Sequence, residues 1–285
     1  MAHSASFVFP SRPPQAQAGY VIAGSAEYPA MSGSNTICAA TVLLETGMVP
    51  MAAPVTELVL QSPAGLIRLR CQCRDGKVTG VRFASRPAFA YHLGAAVEVG
   101  GLGTVPVDVA RGGMACVIVG ARALGFALTP DEGRDRCVQG QLIKQAAAGQ
   151  LTAVHPQNPS FPGITMTEFT GPLRREDGVL ASRNAVVVSP GRLDRPPCGT
   201  GTSARLAVMH RRGQVAAGET FVHEPVIGSR FLSRIDELTT VGPYPAVVPS
   251  VTGQARITEL CQAGYDPADP FPAGYTLSDT WLSTL

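Results

Sequence analysis

Two stretches of equal length constrain how this chain can fold. One begins at Ser32 and ends at Gly47, and the other begins at Cys198 and ends at Gly213. In each, a glycine follows the first residue and small hydroxyl residues come next, which is typical of a helix start with uncovered backbone N–H groups. The apolar residues that follow predict two buried helices. Two such buried helices favour a two-lobed body.

The first turns of these two helices predict an anion site. Free N–H groups and the positive end of the helix dipole attract negative charge. Both stretches are therefore interpreted as carboxylate cradles. The second helix also ends in cations, His210, Arg211 and Arg212, where a helix C-terminus prefers them.

Composition excludes several classes of partner. The 285 residues are 45% hydrophobic, enough for two medium domains or one large one. A net charge of +2 predicts binding neither to nucleic acid nor to a membrane surface. The longest apolar run, residues 114–128, is too short to span a bilayer. No secretory signal is seen, and seven cysteines without C-x-x-C or metal-like spacing predict reduced thiols in the cytoplasm.

Local patterns predict strands around each helix. Alternating apolar residues and turn signals indicate strands at residues 6–9, 19–23, 57–61, 65–73, 78–83, 105–109, 115–119, 164–169, 185–189 and 221–227. A further helix is predicted from Thr129 to about Ala148. Residues 171–184 are interpreted as a charged hairpin region, and residues 247–285 as mostly loops after one strand.

Cys198 and Ser32 are the candidate reactive residues. A thiol at a helix N-terminus has its pKa lowered from about 8.5, which predicts that Cys198 is a base or nucleophile near neutral pH. The alternative is a buried structural cysteine. Ser32 lies in neither G-x-S-x-G nor S-x-x-K, so a hydrolase elbow is disfavoured, and helix capping is compatible with a site role. A Cys–His hydrolase that pairs Cys198 with His223 has no support from spacing.

Two longer motifs resemble a known family. Residues 194–205, DRPPCGTGTSAR, resemble the second catalytic motif of the proline racemase superfamily, and residues 31–38, MSGSNTIC, look like the first. Supporting similarity lies at residues 62–66, 107–113, 227–231 and 266–271, so the resemblance covers nearly the whole chain. In the first motif, Ser34 stands where the family usually has histidine.

The resemblance implies an α/β (α+β) protein with the diaminopimelate-epimerase-like fold. Two pseudo-symmetric lobes would each wrap a curved mixed sheet around a central helix. Residues 1–98 are predicted to form lobe 1, incomplete at its N-terminus relative to the family. Residues 99–250 would form lobe 2, and residues 251–285 would return toward lobe 1.

The resemblance also implies a site in the cleft between the two helices. A proline-like amino acid would be the small-molecule partner, with no cofactor and no metal; a homodimer is left open. Cys198 would be the main acid/base, and Ser32 the opposing hydroxyl that assists departure of water. The residues implied in substrate binding are Gly33, Ser34, Gly199 and Thr200 for the carboxylate, through backbone amides, and Asp194 for the ring nitrogen.

The Ser32–Cys198 pair decides which reaction is expected. Two cysteines suit racemisation, in which one thiolate removes the α-proton and the opposite thiol returns one. A serine is a poor base, so the pair is similar to family members that dehydrate trans-3-hydroxy-L-proline to pyrroline-2-carboxylate. The alternatives are a 4-hydroxyproline 2-epimerase or proline racemase-like activity and, from another class, a truncated inactive relative.

Overall fold

The computed structural model describes residues 4–24, 28–161, 163–189, 191–262, 264 and 266–272. Within these residues, three α-helices accompany one mixed sheet of fifteen strands. The helices are α1 (Gly33–Glu45), α2 (Gly133–Gln150) and α3 (Gly199–Arg211). The strands are β1 (Ser4–Phe9), β2 (Ala18–Gly24), β3 (Val55–Ser62), β4 (Gly65–Arg74), β5 (Lys77–Ala84), β6 (Ala88–Val99), β7 (Gly103–Arg111), β8 (Ala115–Gly120), β9 (Ile164–Thr170), β10 (Arg174–Glu176), β11 (Val179–Val188), β12 (Arg192–Leu193), β13 (Thr220–Glu224), β14 (Phe231–Val241) and β15 (Tyr244–Gly253).

The sheet closes on itself in one half of the molecule. Its order is β1-β2-β3-β4-β5-β15-β14-β13-β11-β9-β8-β7-β6, and β6 pairs again with β15. The strands from β15 round to β6 therefore form a closed barrel. Helix α3 packs against β6, β7, β8, β14 and β15, and residues 201–209 are all buried, so α3 fills the barrel. Helix α2 packs on β9 from another side.

The other half of the sheet wraps around α1. Strand β15 continues beyond the barrel and pairs with β5 through Ser250 and Ala84. Helix α1 packs against β1, β5 and β15, and most of its residues are buried. The expected arrangement, a curved mixed sheet around a central helix in each half, is therefore present. Because one sheet runs through both halves, the division at residues 98 and 250 stays a prediction.

Several strands differ from the prediction. Strands β6 and β14 were not predicted, because β-bulges interrupt the alternation in both. Residues 171–184, interpreted as a hairpin region, do form one, because β10 pairs antiparallel with the first part of β11. Strand β13 ends at Glu224, before the predicted residue 227, because Pro225 has no N–H for the ladder.

Candidate active site

Ser32 caps the N-terminus of α1. Its Oγ accepts a hydrogen bond from the backbone N–H of Asn35 at 3.5 Å and lies 3.2 Å from the Oγ of Ser34. Its backbone is extended, as an N-cap residue requires. The capping interpretation of Ser32 is confirmed, and the half-buried hydroxyl also faces a cleft.

Cys198 holds the same position on α3. Its Sγ accepts a hydrogen bond from the backbone N–H of Gly201 at 3.4 Å and lies 3.3 Å from the Oγ1 of Thr200. The Cys198 backbone has φ +63° and ψ +111°, a left-handed value that glycine favours. A non-glycine residue in such a conformation costs on the order of 1–3 kcal/mol. Strain is therefore stored at the one thiol that begins a helix.

The two helix N-termini meet at a pair of glycines. A methyl group on Gly33 would lie 2.7 Å from Cζ of Phe83 and 3.4 Å from Cα of Gly199. A methyl group on Gly199 would lie 3.3 Å from Cα of Gly33. The first-turn N–H groups of both helices, which lack intrahelical acceptors, are thereby brought side by side. One carboxylate between them can accept hydrogen bonds from both helices.

A cleft of about 930 Å³ opens at this junction. All seven residues predicted from sequence line it: Ser32, Gly33, Ser34, Asp194, Cys198, Gly199 and Thr200. Among the residues that the structure describes, the other charged ones lining it are Arg192, Arg195 and Arg256. Three cations and one carboxylate, with two helix N-termini, make the cleft attractive to an anion.

Asp194 is the acidic group among the described residues of the cleft. The Cys198 thiol and the Arg192 cation lie near its carboxylate and favour its charged form. Burial raises the pKa of Asp194, and these two contacts only partly offset that rise. A cationic amine placed beside Asp194 would therefore gain a carboxylate partner that is poorly solvated.

The expected low pKa of Cys198 is a wrong prediction. Burial raises the pKa of the thiol well above its ordinary value, and the Asp194 carboxylate raises it further. The Thr200 hydroxyl and the Gly201 N–H lower it, but by less. The lowering of the pKa by the helix N-terminus is therefore smaller than the rise caused by desolvation, and desolvation cannot be predicted from the sequence. A thiol whose pKa is raised in this way is protonated at neutral pH.

A buried polar cluster lies behind Cys198. Asn184 donates from Nδ2 to the Pro197 carbonyl at 2.8 Å and to Oε1 of Glu168 at 3.1 Å. His223 lies 3.5 Å from the same Glu168 oxygen, and its Nδ1 is 2.9 Å from the Thr202 hydroxyl. His223 therefore bonds to Thr202 rather than to Cys198, which removes support from the Cys–His hydrolase alternative.

Glu168 and Asn184 were not predicted as functional residues. Both lie in strands, β9 and β11, that also carry other polar residues, so the local sequence does not single them out. Burial raises the pKa of Glu168 to about 7. Burial, with the charge of Arg205, lowers the pKa of His223 to about 3. Glu168 and His223 are thus a neutral pair rather than an ion pair between about pH 3 and pH 7.

The pH dependence of stability tests this assignment. Folded Glu168 holds a proton that the unfolded chain releases between about pH 4.5 and 7, so its contribution to stability falls across that window. Replacing Glu168→Gln removes this contribution. We expect the unfolding free energy of the variant minus that of the parent to rise by roughly 1 kcal/mol per pH unit there. Urea unfolding at several pH values measures it, and a pH-independent difference would contradict the assignment.

In the part of the chain that the structure describes, no group of three or more His, Cys, Asp or Glu side chains is arranged to hold a metal ion. Within the same residues, no helix has the length and apolar character that crossing a membrane requires.

Comparison with solved structures places the fold. A PhzF-family phenazine biosynthesis protein from Bacillus anthracis superimposes with a TM-score of 0.57 at 12% identity, covering 88% of this chain and 81% of that one. At that identity the likeness concerns the fold alone. The fold and the cleft define a class: α+β proteins of the diaminopimelate-epimerase-like fold, with a site where two helix N-termini meet. The predicted fold class is confirmed.

Closer similarity gives the family. A family profile described as proline racemase matches residues 1–276. A hydroxyproline epimerase from Agrobacterium vitis, solved with trans-4-hydroxy-L-proline, is 35% identical with a TM-score of 0.87, covering 98% of this chain and 79% of that one. A probable proline racemase from Agrobacterium radiobacter K84, with bound carbonate, is 34% identical with a TM-score of 0.86, covering 98% and 81%. The chain belongs to the proline racemase family.

Proposed function

We propose that this protein dehydrates trans-3-hydroxy-L-proline to a pyrroline carboxylate. The observation that carries the proposal is the unequal pair at the two helix N-termini, a thiol at Cys198 and a hydroxyl at Ser32. A reaction that inverts Cα needs an acid/base group on each face of the ring. A serine hydroxyl is too weak an acid to serve as one of them without a partner base.

The substrate is proposed to bind through its carboxylate and its ring nitrogen. Gly33 and Ser34 on α1, with Gly199 and Thr200 on α3, offer first-turn N–H groups to the carboxylate. Asp194 lies beside Cys198 and would pair with the cationic ring nitrogen. The positive charge of the ring nitrogen offsets the negative charge of Asp194. Without that offset, the Asp194 charge raises the pKa of the thiol. Substrate binding is therefore proposed to favour the reactive thiolate.

The stereochemistry of the substrate suits one acid/base group. In the trans-3 isomer the α-hydrogen and the 3-hydroxyl lie on the same face of the ring. A Cys198 thiolate facing them takes the α-proton, and the Cα–H electron pair forms the double bond to C3 as the C3–O bond breaks. The new thiol then gives its proton to the departing hydroxide, so water leaves and the thiolate is regenerated. In this proposal Cys198, and not Ser32 as expected from the resemblance, assists the departure of water.

A second candidate is 2-epimerisation of 4-hydroxyproline. It is favoured by the Agrobacterium vitis relative, a hydroxyproline epimerase with trans-4-hydroxy-L-proline bound. For this reaction Ser32 would have to give a proton to Cα on the face opposite Cys198. The proton would come by way of the Ser34 hydroxyl, 3.2 Å away, or from solvent.

Parallel assays separate the candidates. The purified chain is incubated with trans-3-hydroxy-L-proline and with trans-4-hydroxy-L-proline, and pyrroline formation and optical rotation are followed. Pyrroline from the first substrate supports the dehydratase. A change of rotation with the second, without pyrroline from the first, supports the epimerase instead. A folded chain that is silent on both substrates overturns both candidates.

Replacing Ser32→Cys tests the role of the first position. A second thiol at the N-terminus of α1 supplies the missing base, so we expect the ratio of epimerisation to dehydration to rise by about tenfold or more. Ser32→Ala is the matched control, because it separates loss of the hydroxyl from gain of the thiol. Rates on both substrates measure the ratio. An unchanged ratio in Ser32→Cys would show that the residue at position 32 does not decide the reaction.

A further inference from the structure

The backbone of Cys198 needs an anchor that the helix cap does not provide. Its φ of +63° and ψ of +111° lie outside the regions that a residue with a side chain prefers. Such conformations persist only where surrounding contacts hold them. The bond from the Gly201 N–H to Sγ ties the side chain to the helix. That bond does not itself fix the orientation of the peptide before Cys198.

The peptide before Cys198 is held by side chains inside the barrel. The Pro197 carbonyl accepts a 2.8 Å bond from Nδ2 of Asn184 and a longer one, 3.4 Å, from the Thr202 hydroxyl. Pro197 and Asn184 are both buried, so water does not compete for these bonds. Rotation of the Pro197–Cys198 peptide toward an ordinary φ would break the bond to Asn184 and leave a buried carbonyl unpaired.

Asn184 is itself fixed by Glu168. Its Nδ2 also donates to Glu168 Oε1 at 3.1 Å, and the two residues extend from neighbouring antiparallel strands, β11 and β9. A methyl group on Gly201 would lie 3.2 Å from Glu168 Oε2, so the carboxyl group lies directly under the first turn of α3. Both side chains are fully buried. The barrel wall thus holds a rigid donor against the peptide that precedes the thiol.

We infer that Asn184, held by Glu168, is a positioning residue for Cys198: its amide fixes the Pro197 carbonyl and thereby keeps the thiol in its strained, cleft-facing conformation. The catalytic part of this inference rests on the proposed function. Among the described residues, the hydrogen bonds that Asn184 donates go to Glu168 and to the Pro197 carbonyl. Its effect on the reaction is therefore exerted through the orientation of Cys198.

Stability of double variants tests the inference without any assay of activity. Glycine adopts φ +63° without strain, whereas alanine does not. Removing the anchor with Asn184→Leu, which is similar in size, costs only the hydrogen bonds in a Cys198→Gly background. In a Cys198→Ala background the same change also releases strain. We therefore expect Asn184→Leu to lower the midpoint of thermal unfolding by more in Cys198→Gly than in Cys198→Ala.

A matched control comes from strand β9. Thr167 is buried and donates from Oγ1 to the Gly140 carbonyl of α2 at 2.7 Å, away from Cys198. Thr167→Val should lower the midpoint equally in both backgrounds. An equal or smaller loss for Asn184→Leu in Cys198→Gly would overturn the inference. If Asn184→Leu does not fold, Asn184→Ala in the same two backgrounds gives the same comparison.

Kinetics test the catalytic part. In the active chain, Asn184→Leu should lower kcat by about 100-fold, because an error of about 1 Å in the thiol costs that much. KM should change by less than about threefold, because the amides of both first turns still bind the carboxylate. A rise in KM of similar size, with kcat unchanged, would contradict a positioning role for Asn184. If the parent chain is inactive on hydroxyprolines, the proposed function fails while the stability comparison still decides the role of Asn184.

Discussion

Replacing Cys198→Ser is expected to lower turnover by at least about 10³-fold. A positioned acid/base group contributes roughly 10²–10⁴-fold, and a serine hydroxyl is far less acidic than a thiol. The serine side chain can still accept the cap bond from Gly201 that Cys198 accepts now, so the fold should be retained. Initial rates of pyrroline formation, with thermal unfolding measured in parallel, test this expectation.

A second cysteine provides the control for Cys198→Ser. Cys261 is an exposed free thiol outside the cleft lining, and Cys261→Ser should retain the parent rate. Turnover by Cys198→Ser within a few-fold of the parent would show that the thiol is not the acid/base group. The proposed mechanism would then fail, whatever reaction the protein performs.

Replacing Gly112→Ala is expected to cause the largest loss of stability. Gly112 lies in the turn between β7 and β8, and a methyl group there would lie 2.5 Å from the Ala204 nitrogen and clash with the Thr200 carbonyl oxygen. These are backbone atoms of α3, which the closed barrel surrounds. Neither the turn nor the helix can therefore shift without a large cost in free energy. We expect the free energy of unfolding to fall by about 3 kcal/mol or more, as measured by urea unfolding.

Gly120 is the matched glycine for this test. It ends β8, its φ of −72° suits any residue, and a methyl group there would meet nothing within 4 Å. Gly120→Ala should therefore change stability by less than about 0.5 kcal/mol. Equal losses of stability from the two substitutions would contradict the close contact between Gly112 and the backbone of α3.

The central helices and the cleft could be predicted because their signals are local. A capping residue, glycines in the first turn and a glycine at the end define α1 and α3 without reference to the rest of the chain. The repeat at Ser32 and Cys198 then indicated that both helix starts serve one site. All seven predicted site residues line one cleft, although their roles stay predictions.

What could not be predicted depends on contacts distant in sequence. The thiol pKa of Cys198 was predicted to be lowered, because the sequence shows the helix start but not the burial or the Asp194 carboxylate. Glu168 and Asn184 are separated from Cys198 in the chain and meet it only because the barrel closes around α3. Strands β6 and β14 were missed because a bulge breaks the period-2 pattern that identifies a strand.

The configuration of substrate recovered from heavy water tests the one-thiol account most directly. The chain is incubated with trans-3-hydroxy-L-proline in D₂O, the reaction is stopped at partial turnover, and the remaining substrate is examined by NMR and chiral chromatography. The account predicts pyrroline as product, and any deuterium found at Cα of the recovered substrate in the original configuration only. Recovered substrate deuterated at Cα with inverted configuration would contradict it, because inversion requires a second acid/base group facing Cys198.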